Sequence, residues 1–203
     1  MGIAERKERE KREMRERILE AAMRLFVEHG FEKTSIRKIA DAIEYSPATI
    51  YLYFKDKSEV FFELHRMAFG RFRETMGQSL HVADPMERMR FIGRVYIDFA
   101  LQNPEQYDLM FIMRAPMESK TETDGWEVGH KAFEMLETTV KECLDQGLIQ
   151  GEDYRFVSYA LWGSVHGLVA LAVRDRLKMY DEEDPREHIF AAFDEVMSML
   201  TLN

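Results

Sequence analysis

Between Ile18 and about Phe54 the chain sets down three short helix-forming segments, and this crowding constrains the fold more than any other feature. In the first, Ile18, Ala21, Ala22, Leu25 and Phe26 recur at the spacing of one helix face, and His29-Gly30 closes it. Thr34-Ser35 offers an N-cap to a second helix that turns Ile36, Ile39, Ala40 and Ile43 inward. Glu44-Tyr45-Ser46 is a tight connection, after which Ser46 caps and Pro47 opens a third helix holding Ala48 to about Tyr53. Asp56-Lys57-Ser58 restarts the chain into a long fourth helix with Val60, Phe61, Leu64, Met67 and Ala68 facing inward.

The helical period persists to the end. Asp84-Pro85 opens a helix carrying Ile92, Val95, Tyr96 and Phe99, which Asn103-Pro104 ends, and residues 105–113 read as a short helix. Residues 114–124 are polar, without period, and read as a mobile loop. A helix follows from Gly125 to Gln146, a strongly apolar one from Asp153 to Met179, and a last one carrying Ile189, Phe193, Val196, Met197 and Leu200. With only 11 Gly and 5 Pro, and no strand-like alternation, the fold class expected is all-α with about nine helices. The expected division is a small unit over 1–57 and a larger one over 58–203. No run approaches the ~20 consecutive apolar residues of a membrane span. The N-terminus lacks the apolar stretch of a secretory signal, and Cys143 has no second cysteine to pair with. A cytoplasmic chain with no membrane partner is expected.

Two short helices joined by a three-residue turn form a helix-turn-helix, whose second helix suits the major groove of DNA. The net charge of −9 opposes such a partner until its distribution is read. Residues 1–57 carry 13 Lys/Arg against 11 Asp/Glu, and the rest carries 15 against 26, so the acidic surplus lies outside the candidate unit. Ser46, Pro47, Ala48 and Thr49 form a small-residue tip able to approach base edges, and Tyr51 and Tyr53 can donate to phosphate oxygens. Thr34 and Ser35, with Arg37 just after them, stand at a second helix start, and Lys57 at a third. Taken singly, Thr34, Ser35 and Ser46 also read as plain caps, and the two tyrosines as half-buried packing residues. Residues 5–17, ERKEREKREMRER, read either as a frayed, solvated extension or as an arm reaching the DNA backbone or minor groove.

Fourteen Met and fourteen Phe point to an adaptable apolar interior in the larger part. Phe91, Tyr96, Phe99, Met110, Phe111, Met113, Trp126, Met135, Trp162 and His166 are candidates for lining a pocket for a small hydrophobic or aromatic effector. Each also reads as ordinary core, His166 included. The histidines and Cys143 show no metal-ligand spacing, and no phosphate loop or nucleophile motif is present, so no cofactor, metal or catalytic residue is expected.

RILEAAMRLFVEHGFEKTSIRKIADAIEYSPATIYLYFKDKSEV, across roughly residues 17–60, resembles the TetR family of bacterial regulators. The resemblance is carried by the alanine- and Phe-bearing first helix ending His29-Gly30-Phe31, by Thr34-Ser35-Ile36 with Ile39-Ala40, and by Ser46 through Phe54 to Lys57. The chain departs from it at Glu44-Tyr45, where the family usually has Gly-Val, and at Ala48, where it often has Gly. Trp162 followed by His166-Gly167 resembles a C-terminal subclass of the same family. The resemblance implies a homodimer on a palindromic operator, two recognition helices in successive major grooves, and release by a ligand, with helix four as the lever. It also implies that the last two helices pair across the dimer, making Val165, Val169, Phe193, Val196, Met197 and Leu200 interface candidates. A different reading, a protein-interaction module that keeps this fold without sequence-specific DNA binding, stays open on Glu44 and the acidic body.

Overall fold

A computed structural model describes residues 2–114, 126–177 and 185–201, the side chains of 3, 126–128 and 185 excepted. The loop expected over 114–124 falls outside the described residues from 115 on, as do the side chain of Trp126, positions 178–179 and the 181–184 break.

The described residues are all-α: nine helices, with one isolated antiparallel bridge between Ile149 and Thr201. They are α1 (Ile3–His29), α2 (Ile36–Ala42), α3 (Pro47–Tyr51), α4 (Lys57–Gly77), α5 (Pro85–Gln102), α6 (Pro104–Tyr107), α7 (Trp126–Asp145), α8 (Tyr154–Val173) and α9 (Pro185–Leu200). A 3-10 turn, Gln78–His81, follows α4, and a wider π-type turn, Asp108–Ile112, follows α6. Asp84 accepts from the Glu87 amide at 2.9 Å and Pro85 opens α5, as their order predicts.

Two compact units result, Met1–Ala68 with Glu105–Gly125, and Phe69–Pro104 with Trp126–Asn203. In the first, Ile18, Ala22, Phe26, Ile39, Ala40, Ile50, Phe54, Val60 and Phe61 are buried together. Residues 5–17 continue the helix, α1 running from Ile3, and residues 5–13 are exposed. Glu5 takes the Gly2 amide at 2.7 Å, and Arg6–Glu10 and Arg9–Glu13 pair one turn apart.

In the second unit α5 packs on α7, α8 and α9, and α8 packs on α7 and α9. Ile97, Val140, Cys143, Leu161, Val165, Val169, Ile189, Phe193 and Met197 make the core. Gly93 on α5 lets the Phe193 ring lie against the backbone: a Cβ there would stand 2.1–2.9 Å from three ring atoms. Arg94 and Asp194 (2.6 Å) and Arg186 and Asp98 (2.5 Å) tie α5 to α9 at the surface. Burial pushes the Cys143 thiol up to about 11, so it is protonated and inert at neutral pH.

One expectation for the C-terminal helices is corrected: α8 stops at Val173, six residues early. The apolar run ends there, Arg174 caps it, and Asp175 turns left-handed at φ 56°. Of the dimer-interface candidates, Val165, Val169, Phe193 and Met197 are buried within the chain, and Val196 and Leu200 are half-buried. The open apolar surface lies on the other side, at Phe156 (72% exposed), Tyr159 and Leu171 of α8 and Met199 (79%) of α9. By length and composition α8 would also suit a membrane span, which a search for an uninterrupted apolar run does not register; here it is packed among α5, α7 and α9.

Candidate nucleic-acid interface

The first unit is built to hold α3 outward. Ile50 and Phe54, both buried, pin α3 and its exit to the bundle, and this leaves the opposite side free. Ser46 and Ala48 are exposed, Pro47, Thr49 and Tyr53 half-buried, and Tyr51 is 57% exposed. The Ser46 hydroxyl does not cap the helix backbone; it lies 3.2 Å from the Thr49 hydroxyl, so the two share a hydrogen bond at the tip. Leu52, 78% exposed, stands on the same face one turn after Ala48.

The turn before α3 holds its shape without the usual glycine. Glu44 adopts φ 62°, its amide donates to Asp41, and the Tyr45 amide donates to Ala40 at 3.0 Å. The Tyr45 ring is exposed and carries the Arg17 guanidinium 5.4 Å from its centroid, while Arg17 also donates to the Ile43 carbonyl at 3.4 Å. The departure from Gly-Val thus places an acid and an aromatic beside the recognition tip.

Of the other expected DNA contacts, Ser35 is exposed and caps α2 by accepting from Lys38, and Arg37 is exposed. Thr34 is different. It is 2% exposed, and its hydroxyl lies 2.9 Å from the Gly30 carbonyl and 3.1 Å from that of Leu25, so it latches the end of α1 to the start of α2. Lys57 opens α4, but its ammonium donates to the Phe31 carbonyl at 2.7 Å and sits 4.0 Å over the Phe31 ring. Both residues also tie neighbouring elements of the unit together.

Glu63 of α4 is hydrogen-bonded by Arg66 and then by Arg15 of α1, which together hold its carboxylate down at about 2. A carboxylate whose folded value is depressed stabilises the fold in full above its unfolded value, and that contribution is lost as pH falls toward the folded one. Glu63→Gln is therefore expected to be less stable than wild type at neutral pH. The gap should close between about pH 4.5 and 2, as read by denaturant midpoints. A gap that stays constant across that window would rule the pairing out.

In the second unit a chain of rings runs through the effector candidates. Phe99 meets Phe72 at 5.0 Å and Phe72 meets Tyr96 at 5.6 Å. The Tyr96 hydroxyl is 3.0 Å from His166 Nδ1. The His166 ring lies 5.8 Å from Trp162, which is 5.6 Å from Phe133. Burial pushes the His166 imidazole below its ordinary value, which keeps it neutral. Phe91 and Met135 are half-buried in the same unit, whereas Met110, Phe111 and Met113 belong to the first. Among the described residues no group of three or more His, Cys, Asp or Glu is placed to hold a metal ion.

A short exposed helix held by two buried anchors, a capped partner helix before it and a separate all-α unit after it define the helix-turn-helix regulator class. The family model described as bacterial regulatory proteins, tetR family, matches residues 18–64, and the one described as tetracyclin repressor-like, C-terminal domain, matches residues 89–199. The chain belongs to the TetR family of bacterial regulatory proteins. It is 34% identical over 110 residues to the transcriptional repressor AcnR of Corynebacterium efficiens, a stretch covering 54% of this chain and about half (52%) of that protein. It is 26% identical over 175 residues to the probable acrEF/envCD operon repressor of Escherichia coli K12, covering 82% and 79%. Among solved structures, AibR in complex with isovaleryl coenzyme A and operator DNA has the same fold (TM-score 0.69, 24% identity, 92% of this chain and 97% of that one).

Proposed function

We propose that the chain is a cytoplasmic repressor that grips a palindromic operator as a homodimer and lets go when a small apolar or aromatic effector binds. Residues 1–57 would dock on DNA and residues 58–203 would sense and dimerise. The observation that carries this reading is the outward face of α3. Ser46, Ala48, Tyr51 and Leu52 are exposed on a helix whose inward residues, Ile50 and Phe54, are fully anchored. A large apolar residue is left in water at such a tip only at a cost that a thymine methyl or sugar face would recover. Tyr51 and Tyr53 would bond phosphates.

The homodimer is supported by the apolar side of α8 and α9, where Phe156, Tyr159, Leu171 and Met199 stay open and where Gly163 and Gly167 leave room for a close approach. The effector class is supported by the ring chain in the second unit, whose single polar link, Tyr96 with neutral His166, suits a mostly apolar molecule with one hydrogen-bonding group. Trp162, whose ring lies beside that of His166, and Gly167 complete the stretch that resembles a C-terminal subclass of the family. The same fold has been solved holding a coenzyme A ester and operator DNA together, in AibR.

Footprinting of the DNA flanking the chain's own gene, at two salt concentrations, tests the proposal. Two protected half-sites related by a dyad, weakening steeply with salt, are expected. A well-folded dimer that protects no duplex would favour the protein-interaction reading instead.

A further inference from the structure

We propose that the exposed first half of α1 is an arm that binds the DNA backbone outside each half-site through Lys7 and Lys11. The proposal rests on the operator-binding reading above and widens its footprint.

The arm begins at the recognition element. Arg17 bonds the Ile43 carbonyl in the α2–α3 turn, and Arg15 lies 5.0 Å from the ring of Phe54, just after α3, while pairing with Glu63 at 2.8 Å. From Arg17 back to Lys7 is ten residues of helix, about 15 Å at 1.5 Å per residue. Along a duplex that is about four to five base steps of 3.4 Å. Residues 4–13 contribute nothing to the core and are exposed throughout, yet the helix is continuous.

The charges of the segment are sorted by face. Glu5 is taken by the Gly2 amide, Glu10 by Arg6 and Glu13 by Arg9. Among the described residues Glu8, Glu16, Arg12, Lys7 and Lys11 hold no ion pair. Lys7, Lys11 and Arg15 follow one another at i, i+4 and i+8, and the same stripe continues inward as Ile18 and Ala22, which are buried. The row that becomes core inside the bundle is therefore basic outside it, on the side from which Arg15 reaches Phe54 and Glu63. Like charges one turn apart disfavour a helix unless an anion lies between them. A phosphate backbone running past the recognition tip supplies such anions at regular intervals, and the arm springs from that tip, which favours DNA over a lipid surface or an acidic protein.

The test uses the full-length chain and a duplex that it selects from a random-sequence library. That duplex is made as the bare palindrome and with eight base pairs of arbitrary sequence added at each end. Lys7→Gln/Lys11→Gln should bind the flanked duplex at least tenfold more weakly than wild type near 0.1 M salt. The slope of log affinity against log salt should fall by about three to four, for four phosphate contacts per dimer at about 0.9 each. On the bare palindrome the variant should differ less than twofold, and Lys7→Arg/Lys11→Arg should keep the wild-type slope. Equal affinity and slope on the flanked duplex would overturn the arm and leave operator binding standing. Equal losses on both duplexes would overturn its placement on the flanks. Selection of no duplex by wild type would bring down both readings.

Discussion

Phe61→Ala should cost the first unit about 3–5 kcal/mol, the range for emptying a buried aromatic site. Phe61 is fully buried and meets Phe26 at 5.7 Å and Phe31 at 5.3 Å, both edge-on, with Phe62 at 6.0 Å. Truncation opens a cavity between α1 and α4 and removes three edge-on ring contacts. Small domains hold about 5–15 kcal/mol in total, so a loss of this size consumes much of what keeps α3 in place. Thermal unfolding should show the loss, and operator affinity should fall more at 37 °C than at 10 °C. Phe61→Leu, which keeps most of the volume, should lose far less of both. A loss under 1 kcal/mol for the alanine variant would mean that this cluster does not organise the unit.

Gly93→Ala is the second large effect, and it comes from adding one carbon. The new Cβ would fall 2.1, 2.5 and 2.9 Å from three atoms of the Phe193 ring, which is itself buried beneath α9. The buried ring must shift to admit it, so about 1–3 kcal/mol of overpacking strain is expected. Gly93→Ala combined with Phe193→Leu should recover part of it, giving a non-additive double-mutant cycle in chemical denaturation. Additive losses would show that the two positions do not touch.

Much of the helix pattern was legible because several helix boundaries are written in chemistry. Ser35 capping α2, Pro47 opening α3 and the Asp84-Pro85 start of α5 each name their own position. The sidedness of α8 was not legible. Phe156, Tyr159 and Leu171 lie on its open side and Leu161, Val165 and Val169 on its buried side, so both faces are apolar and periodicity offers no contrast to choose by. The internal bonds of Thr34 and Lys57 were not legible either, although a hydroxyl and an amine at helix starts suit phosphate contact. The Gly30, Leu25 and Phe31 carbonyls that receive them come from one short stretch around the α1 terminus, and no spacing rule pairs a lysine with a carbonyl 26 residues earlier. The arm could be read either way from its alternating charges, and its ion pairs made it helix.

The same small knot of carbonyls has a mechanical meaning. Thr34 ties the entry of α2 to the exit of α1, and Lys57 ties the first turn of α4 to the same stretch, so three helix ends share one joint. Under the proposed reading, a twist applied to the first turns of α4 would be delivered to that joint and would swing α2 and α3 as a single piece. The part proposed to read bases would keep its shape while its heading changed, as a key turns in a lock without its teeth being recut.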